Sequence, residues 1–520
     1  MATVDGDYVI VGAGSAGCVL AEALTRDGST TVTLLEAGPP DDRLEVRVPA
    51  AFPRLFGTEY DWAFSTVPQP GLGGRSLYWP RGRTLGGSSS LNAQIWTRGH
   101  RADYESWGRV APGWGFDDVW PSFAELERRA AEAAGPVWVR PLRDPDPSTE
   151  DFLLACEKAG HRRLDDPSVA APEGAAAAMV TQHNGRRWSS ADAFLRPARG
   201  RENLRIHTGT QVERIVFRGS RAIAVEFADE NGARRSAGAG REILLAAGTV
   251  GSPHLLLRSG VGPPDRLRAH GLAVRHALPA VGRGLQDHLF VPLVSGRRGA
   301  AAGAGAAAGA VADLKRSLAV RRGPLSSNLA EALAFLRSDV TAPAPDLEFL
   351  WLPVQFVDHG RVERGPGCTL GVALLQPLSH GVIDLAGPET GAGTSGAPPA
   401  IDPRYLSDPG GHDLRRLVAG VRAAADILAA EPLARLVEDP ASHLRPSSLD
   451  AAFVRAHAET LYHPTGTCRI GEVVDGSLRV RGLEGLRVID ASVMPHIPRG
   501  HTHAPTVMIA HRAAQLIRAG

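Results

Sequence analysis

The chain has 520 residues, and because single hydrophobic cores stop growing near ~250–300 residues, we expect at least two lobes. Its composition of 43% hydrophobic and 22% charged residues is ordinary for a soluble globular protein and excludes wholesale disorder. The formal net charge of +1, with scattered arginines, gives no general attraction to a polyanion, so nucleic acid is not an expected partner.

The first sixty residues have the pattern of a dinucleotide site. Tyr8–Val11 predicts a buried parallel strand, and it leads into Gly12-Ala-Gly14-Ser15-Ala-Gly17, which fits GxGxxG. These glycines permit a tight turn and let a pyrophosphate approach the start of the following helix. A second predicted strand, Thr31–Leu35, ends at Glu36, where a carboxylate can accept hydrogen bonds from a ribose diol. The acid favours an unphosphorylated ribose, so FAD and NAD both fit.

The segment Arg81–Ala93 contains the pair Gly86-Gly87 followed by three serines. Paired glycines before serines allow backbone amides to lie close to a polar ligand. A Gly/Ser linker is the alternative interpretation, but apolar and aromatic residues flank this segment on both sides, which linkers usually lack.

Further along, Ile243–Ala247 predicts another buried strand, followed by a short helix that begins near Pro253 and ends at Gly260. Three motifs lie near the carboxy terminus: Tyr462-His463-Pro464-Thr-Gly-Thr-Cys468-Arg469, Val488–Ser492 and Gly500–Thr506.

Together, these segments resemble the glucose–methanol–choline (GMC) oxidoreductases, FAD-dependent enzymes that act on alcohols, with the best fit to choline-dehydrogenase-like bacterial members. The resemblance runs from the amino-terminal GxGxxG to a predicted helix near Val507–Ile517. It implies an α/β fold, in which a Rossmann-like FAD-binding domain of the GMC type is interleaved with an α+β substrate domain built on an antiparallel sheet. The expected FAD-binding domain is discontinuous, residues 1–150, 201–291 and 459–520, and the substrate domain comprises residues 151–200 and 292–458.

The resemblance also implies which residues contact FAD. The expected contacts are Gly12, Gly14, Ser15, Gly17, Glu36, Trp62, Leu85, Gly87, Ser88, Asn92, Ala93, Ile95, Val212, Asp490, Ala491, His503 and Pro505. Some members attach FAD covalently through a histidine at the position of Leu91. Because leucine cannot form that bond, we expect noncovalent FAD.

Alcohol oxidation by a flavin needs a base for the hydroxyl proton, and histidine is the common choice because it titrates near neutral pH. His463 matches the family's catalytic histidine, and Pro464 restricts its backbone to an extended conformation. His503 is matched to the second catalytic position, where it would hold the alcohol oxygen or share proton transfer; which histidine accepts the proton is open. His501 is expected to point elsewhere, and His288 is interpreted as structural, near the junction of the domains.

Metal catalysis is not expected, because His463 and His503 have no nearby carboxylate at ligand spacing and hydride transfer to a flavin needs no metal. A Ser-His-Asp hydrolase is poorly supported, since no G-x-S-x-G elbow occurs.

The second lobe is predicted to contain strands near Asp346–Val354 and Thr369–Leu375 and an amphipathic helix at His412–Ala430. Tyr462, Trp351 and Phe356 are candidate walls of the substrate pocket, with ordinary core as the alternative for the last two. The tracts Gly299–Ala310 and Gly387–Pro399 are predicted loops, the first a surface insertion in preference to a mobile lid.

The expected partner is a small-molecule alcohol, and its identity is open: a primary or aryl alcohol, a sugar-like polyol or a natural-product intermediate. Choline needs an aromatic cage or an acid for its cation, which the sequence does not place. Oxygen, a quinone or a protein would accept the electrons, and the oligomeric state is open. Three alternatives share part of this pattern: a flavin-bearing hydroxynitrile lyase, a noncatalytic flavoprotein and an NAD dehydrogenase.

The four cysteines, Cys18, Cys156, Cys368 and Cys468, form no CxxC pair and indicate neither a disulfide framework nor a zinc site, which suits a reducing cytoplasm. The amino terminus lacks the basic region of a Sec signal peptide, and no run of 18 strongly apolar residues predicts a spanning helix. We therefore expect a cytoplasmic protein with no transmembrane segment.

Overall fold

The computed structural model describes residues 3–519 except 131, 230, 299–320, 363–364, 388–397 and 439–447. The tract Gly299–Ala310 and most of the stretch 387–399, both predicted as loops, are therefore largely outside the described residues.

A seven-stranded sheet forms one layer, and its central strands are parallel. Across the sheet the strands are Leu204–His207, Val32–Leu35, Thr3–Val11, Arg234–Leu245, Arg221–Ala228 and Gln211–Arg218, with Leu486–Val488 paired to Arg234–Leu245. The last two strands of that order are antiparallel to their neighbours. Val32–Leu35 is buried at every position, as a continuous apolar run predicts for a strand covered on both faces.

Helices cover this sheet, and Ser15–Leu24 packs against the carboxy-terminal helix, His503–Ala519. Both of these helices were predicted from the sequence. In the described part of the chain, the other α-helices of six or more residues are Arg101–Val110, Phe116–Leu126, Pro147–Lys158, Gly248–Arg258, Pro264–Ala269, His412–Ala429 and Ala451–His457.

The helix Gly248–Arg258 begins earlier than the predicted start near Pro253. A proline inside a helix has no N–H to donate to the carbonyl one turn before it, here that of Thr249. The Thr467 hydroxyl donates to this carbonyl at 2.7 Å instead. The Thr249 hydroxyl in turn donates to the Pro464 carbonyl at 2.7 Å, which ties the helix to the loop that carries His463.

A second sheet has six strands, all antiparallel. Its order is Glu459–Thr460, Leu289–Gly296, Gly367–Leu374, Leu347–Leu352, Ala332–Leu336 and Gly174–Ala177. The helices Pro147–Lys158 and His412–Ala429 contact this sheet. The two strands and the helix predicted for the second lobe are thereby confirmed.

The strand Leu347–Leu352 is buried throughout, yet its two faces do different things. Leu347, Phe349 and Trp351 belong to the core beneath the helices, and Trp351 stacks on Phe152 with ring centroids 5.7 Å apart. Leu350 and Leu352 lie on the opposite face, in a cluster that borders a large cavity. Since successive side chains of a strand alternate faces, Trp351 as a pocket wall is wrong, whereas Phe356 lines the cavity as predicted.

Smaller sheets complete the fold. Arg283–Leu285, Gly381–Leu385 and Pro399–Asp402 form a three-stranded sheet. Two-stranded pairs join Phe64–Ser65 with Tyr78–Trp79, Glu127–Arg128 with Val137–Trp138, Arg140–Pro141 with Met179–Val180, Gln182–His183 with Arg186–Arg187, and Val261–Gly262 with His276–Ala277. The four cysteines are buried and unpaired. Within the residues described, no helix is both long and apolar enough to cross a bilayer.

Candidate active site

A cavity of about 790 Å³ is lined by residues of both large sheets. It extends from the glycine-rich turn after the first strand to the imidazoles of His463 and His501. Its volume is in the range of ligand-binding cavities, which is roughly 300–1,000 Å³.

The glycines of the two predicted cofactor segments pack backbone against backbone. A Cβ on Gly17 would lie 1.9 Å from the Gly12 carbonyl oxygen, and a Cβ on Gly87 would lie 2.6 Å from the Cα of Gly14. The Gly86 amide also donates to the Ala13 carbonyl at 2.8 Å. No side chain fits at these positions, so the turn presents backbone to the cavity, as the close approach of a pyrophosphate requires.

Glu36 lies where the sequence predicts it, at the end of the second parallel strand. Its Oε2 accepts the Ala13 amide at 2.8 Å and its Oε1 accepts the Gly38 amide at 2.9 Å. Burial raises the pKa of Glu36 to about 7. Each carboxylate oxygen keeps a further lone pair, and the side chain lines the cavity, so it fits the hydroxyl donors of a ribose.

Most of the predicted FAD contacts line this one cavity: Gly12, Gly14, Ser15, Glu36, Trp62, Gly87, Ser88, Asn92, Ala93, Ile95, Val212, Asp490, Ala491 and His503. Gly17, Leu85 and Pro505 do not line it, because Gly17 packs beneath the turn, Leu85 is in the core and Pro505 is buried in the carboxy-terminal helix. The residues present therefore fit a dinucleotide.

His463 is held by its backbone. Asp287 accepts the His463 amide at 2.8 Å with Oδ1, while its Oδ2 accepts the hydroxyls of Tyr405 at 2.5 Å and Thr460 at 2.7 Å. Arg81 donates to the carbonyl of the preceding Tyr462 at 2.9 Å. These contacts fix the position of the imidazole while leaving its ring atoms available for other partners.

His288 determines which ring nitrogen of His463 carries the proton. His288 Nε2 lies 3.1 Å from the Leu375 carbonyl, an acceptor only, so Nε2 donates. Burial lowers the pKa of His288 to about 3, so the ring is neutral and its Nδ1 accepts from His463 Nδ1 at 3.0 Å. Burial, together with the neighbouring His501 and His288 rings and the Arg81 guanidinium, holds the pKa of His463 well below its usual value. His463 is thus a neutral imidazole whose free lone pair is on Nε2.

His288 is a site residue that the sequence analysis interpreted as structural. One signal was present: Asp287 and His288 are adjacent polar residues within a stretch whose apolar residues, from Leu285 to Val291, are buried. Because buried polar side chains are almost always hydrogen-bonded, such a pair in an apolar stretch predicts polar partners from elsewhere in the chain.

The expectation that His501 points elsewhere is wrong. Its ring centroid lies 4.7 Å from that of His463, and its Nε2 lies 3.0 Å from Oε1 of the fully buried Glu348. His503 instead faces the glycine-rich turn, with Nδ1 3.1 Å from the Ser15 hydroxyl. The reason is a change of backbone: the carboxy-terminal helix begins at His503, so the two histidines do not share a face.

The cavity wall formed by the second sheet and the segments next to its strands is apolar. Phe290, Leu350, Leu352, Phe356 and Leu461 line it. Tyr462 also lines it, and its hydroxyl lies 2.7 Å from Nδ1 of the buried His359. The acidic residues that line the cavity within the described chain are Glu36 and Asp490, and Asp490 accepts hydrogen bonds from Gly248, Ser252 and Ser492. In the same part of the chain, no three His, Cys, Asp or Glu residues cluster in a way that could hold a metal ion.

Comparison with known proteins gives consistent matches over the whole chain. Two family profiles, both described as GMC oxidoreductase, match residues 6–290 and 377–510. An alcohol dehydrogenase [acceptor] of Pseudomonas putida is 39% identical, over 98% of this chain and 95% of its own length. Human mitochondrial choline dehydrogenase is 39% identical, over 98% and 89% respectively. An R554K variant of Aspergillus oryzae formate oxidase, made to study FAD modification, superposes with a TM-score of 0.90 and 25% identity, covering 100% of this chain and 99% of that one.

Proposed function

Since the chain belongs to the GMC oxidoreductase family and is an FAD-dependent alcohol oxidoreductase, we propose how its own residues perform that oxidation. The observation that carries the proposal is the neutral His463, whose free Nε2 lone pair is in the same cavity as the glycine-rich cradle. A base and a cofactor cradle in one cavity are what the oxidation of a carbinol by a flavin requires.

In the proposed reaction, His463 Nε2 accepts the hydroxyl proton of the substrate. His501 lies beside it and would donate to the substrate oxygen as negative charge develops, a role that requires a proton on Nδ1 because Nε2 is held by Glu348. When bound, FAD supplies the acceptor for the hydride that leaves the carbinol carbon. The O–H and C–H bonds break and a carbonyl forms, giving an aldehyde or a ketone. We assign the second catalytic position to His501, and to His503 a role with Ser15 beside the dinucleotide.

We further propose that FAD is held without a covalent bond. Leu91 is buried and lines the cavity at the position where some family members carry the linking histidine. We also propose that the FAD-binding domain is discontinuous, that the protein is cytoplasmic, and that the individual residues predicted to contact FAD do so. The burial of four unpaired cysteines supports a reducing compartment.

The apolar wall favours an uncharged alcohol with an aliphatic or aromatic body. Leu350, Leu352 and Phe356 offer apolar surface for such a body. The acidic residues that line the described part of the cavity, Glu36 and Asp490, lie near the glycine-rich cradle and not near these side chains. A quaternary ammonium substrate would find no carboxylate on the described cavity wall near His463, because Asp287 and Glu348 do not line the cavity, although aromatic rings alone can bind such a cation. We therefore propose a primary aliphatic or aryl alcohol in preference to choline.

An anaerobic flavin-reduction screen tests the proposal. Purified holoprotein is mixed with benzylic, aliphatic and polyol alcohols and with choline, and loss of the flavin absorbance is followed by stopped flow. Bleaching by benzylic or aliphatic alcohols is the expected result, and reoxidation by oxygen or by a quinone then identifies the acceptor. A protein that cleaves a cyanohydrin without bleaching would be a lyase, and failure of every alcohol to bleach the flavin would contradict the proposal.

A further inference from the structure

Arg187 is a buried arginine directly behind the segment that lines the cofactor cavity. It lies on the two-residue strand Arg186–Arg187 and is 2% exposed. Its Nε donates to the Val46 carbonyl at 2.9 Å, and its Nη1 donates to the carbonyls of Ser89 at 3.1 Å and Asn92 at 2.7 Å. One guanidinium therefore ties the Gly/Ser segment to the chain beneath it.

The charge of Arg187 has no ion-pair partner among the described residues. Asp192 acts on it only at longer range and is itself paired with Arg196. Nη2 is buried and, within the part of the chain that the structure describes, makes no hydrogen bond. Burial lowers the pKa of Arg187 to about 9, which still leaves the group charged at neutral pH. Because an unpaired charge is costly to bury, a compensating group is expected nearby.

Arg187 also decides the orientation of the Asn92 amide. Asn92 Oδ1 accepts hydrogen bonds from Arg187 Nη1 at 2.8 Å and from the Gln94 backbone amide at 3.0 Å. Only the oxygen of the amide can accept them, which places the NH₂ group on the other side. Asn92 lines the cavity, and Nδ2 has no acceptor among the residues described. The donor is thereby left for a ligand.

The positive charge reaches the cavity. Burial and then the charge of Arg187 lower the pKa of His503 to about 4, and His503 lines the cavity next to Ser15. Asn92 lies on the same lining. The cation is therefore close enough to act on a group bound between these two residues.

We propose that Arg187 is a positioning residue for FAD: it holds the Asn92 amide with Nδ2 aimed at the cofactor, and its unpaired charge stabilises the negative charge that bound FAD gains on reduction. This inference rests on FAD binding and not on the identity of the alcohol. Its test therefore uses no substrate, and its failure is distinguishable from failure of the alcohol screen.

Three variants separate the two roles. Arg187→Met removes the charge and the clamp, and Arg187→Lys keeps the charge but cannot hold all four oxygens. Asn92→Ala removes the Nδ2 donor together with the Oδ1 acceptor, and it leaves the charge of Arg187 in place. Arg186→Met is the matched control, since it alters the neighbouring arginine of the same strand. For each, FAD affinity is measured by titrating apoprotein, the reduction potential is measured against reference dyes, and apoprotein unfolding is followed by heating.

We expect Arg187→Met to weaken FAD binding about tenfold or more, and reduced FAD about tenfold more than oxidised FAD, which lowers the two-electron potential by about 30 mV. Arg187→Lys should keep the wild-type potential but bind FAD about as weakly as Asn92→Ala. Arg186→Met should match wild type in both measurements. If Arg187→Met does not fold, the lysine and alanine variants still carry the test of the clamp.

Wild-type affinity and potential in folded Arg187→Met would overturn the proposal. Weaker FAD binding with an unchanged potential in Arg187→Met would leave the clamp in place as an explanation but would overturn the assignment of the charge to the reduced cofactor. Wild-type affinity in Arg187→Lys would overturn the clamp. If Arg187→Met lowers the thermal stability of the apoprotein but changes neither the FAD affinity nor the reduction potential, Arg187 has a structural role only.

Discussion

Replacing His463 by alanine is the sharpest test of the proton acceptor. The substitution removes the only imidazole whose free Nε2 is proposed to face the substrate, while Asp287 can still bind the backbone amide at this position. FAD contacts are expected to survive, because the glycine cradle and Glu36 belong to other segments. The variant should therefore lose the chemical step and keep its cofactor.

The size of the loss follows from what the imidazole does. A positioned acid/base contributes roughly 10²–10⁴ in rate, or about 2.7–5.5 kcal/mol of activation free energy. The structure favours the lower half of that range, because His288 Nδ1 loses its donor and can accept the proton through a water in the space left by the ring. Added imidazole should refill this space and restore part of the rate.

The assay is the anaerobic rate of flavin reduction at saturating alcohol, which reports the chemical step without the electron acceptor. His276→Ala serves as the control, since His276 bonds to the Arg481 carbonyl away from the cavity. Flavin content is measured for both proteins. A His463→Ala protein that is reduced within about threefold of the wild-type rate would refute the assignment of the base.

Three more predictions follow from the same geometry. His501→Ala should slow flavin reduction about a hundredfold with FAD retained, whereas His503→Ala should mainly weaken FAD binding. Stopped flow measures the first effect and titration of apoprotein with FAD measures the second. The opposite pattern would assign the second catalytic position to His503. The buried histidines His288, His359, His463 and His503 have lowered pKa values and stay neutral in the fold, so as the pH falls below about 6.5 the unfolded chain binds their protons and each contributes a loss of ~2 kcal/mol by pH 5. Buried acids such as Glu36, whose pKa is raised to about 7, oppose this loss over the same range. His359→Asn should therefore lose about 2 kcal/mol less unfolding free energy than the wild type between pH 7 and pH 5, measured by urea unfolding, and equal losses in the two proteins would contradict the prediction. Acid precipitation should release all of the flavin, because Leu91 offers no atom for a covalent link, and flavin retained in the pellet would disprove this.

The cofactor cradle was predictable because its constraints are local in sequence. A strand, glycines with no room for a Cβ and an acid at the end of the next strand follow one another within 36 residues, and the structure brings Gly12, Gly17 and Glu36 together as predicted. The predicted helix around Pro253 was shorter than the observed one. The partner that makes a proline tolerable inside this helix is Thr467, which is more than two hundred residues away in the chain.

The catalytic neighbourhood was predicted less completely, because its partners come from distant segments. His463 faces His288 and His501, and His501 is set by Glu348 on a strand of the other sheet. A sequence pattern does not reveal where an extended segment ends and a helix begins within one or two residues, and that boundary directs His501 and His503 to different places. Glu348 was detectable as a lone acid in a continuous apolar strand.

The two faces of the strand Leu347–Leu352 have a consequence for how this enzyme can change its substrates. Leu350 and Leu352 border the pocket, while Phe349 and Trp351 anchor the helices on the reverse side. Because neighbouring positions point in opposite directions, evolution or an engineer can alter the pocket at alternate positions without disturbing the packing of that helical layer. A single-residue insertion in the same strand would instead exchange the two faces, placing the Glu348 carboxylate in the hydrophobic core and removing it from His501. Point substitutions at the pocket-facing positions of this strand can therefore change the substrate preference, whereas small insertions in the strand would disrupt both the pocket and the core.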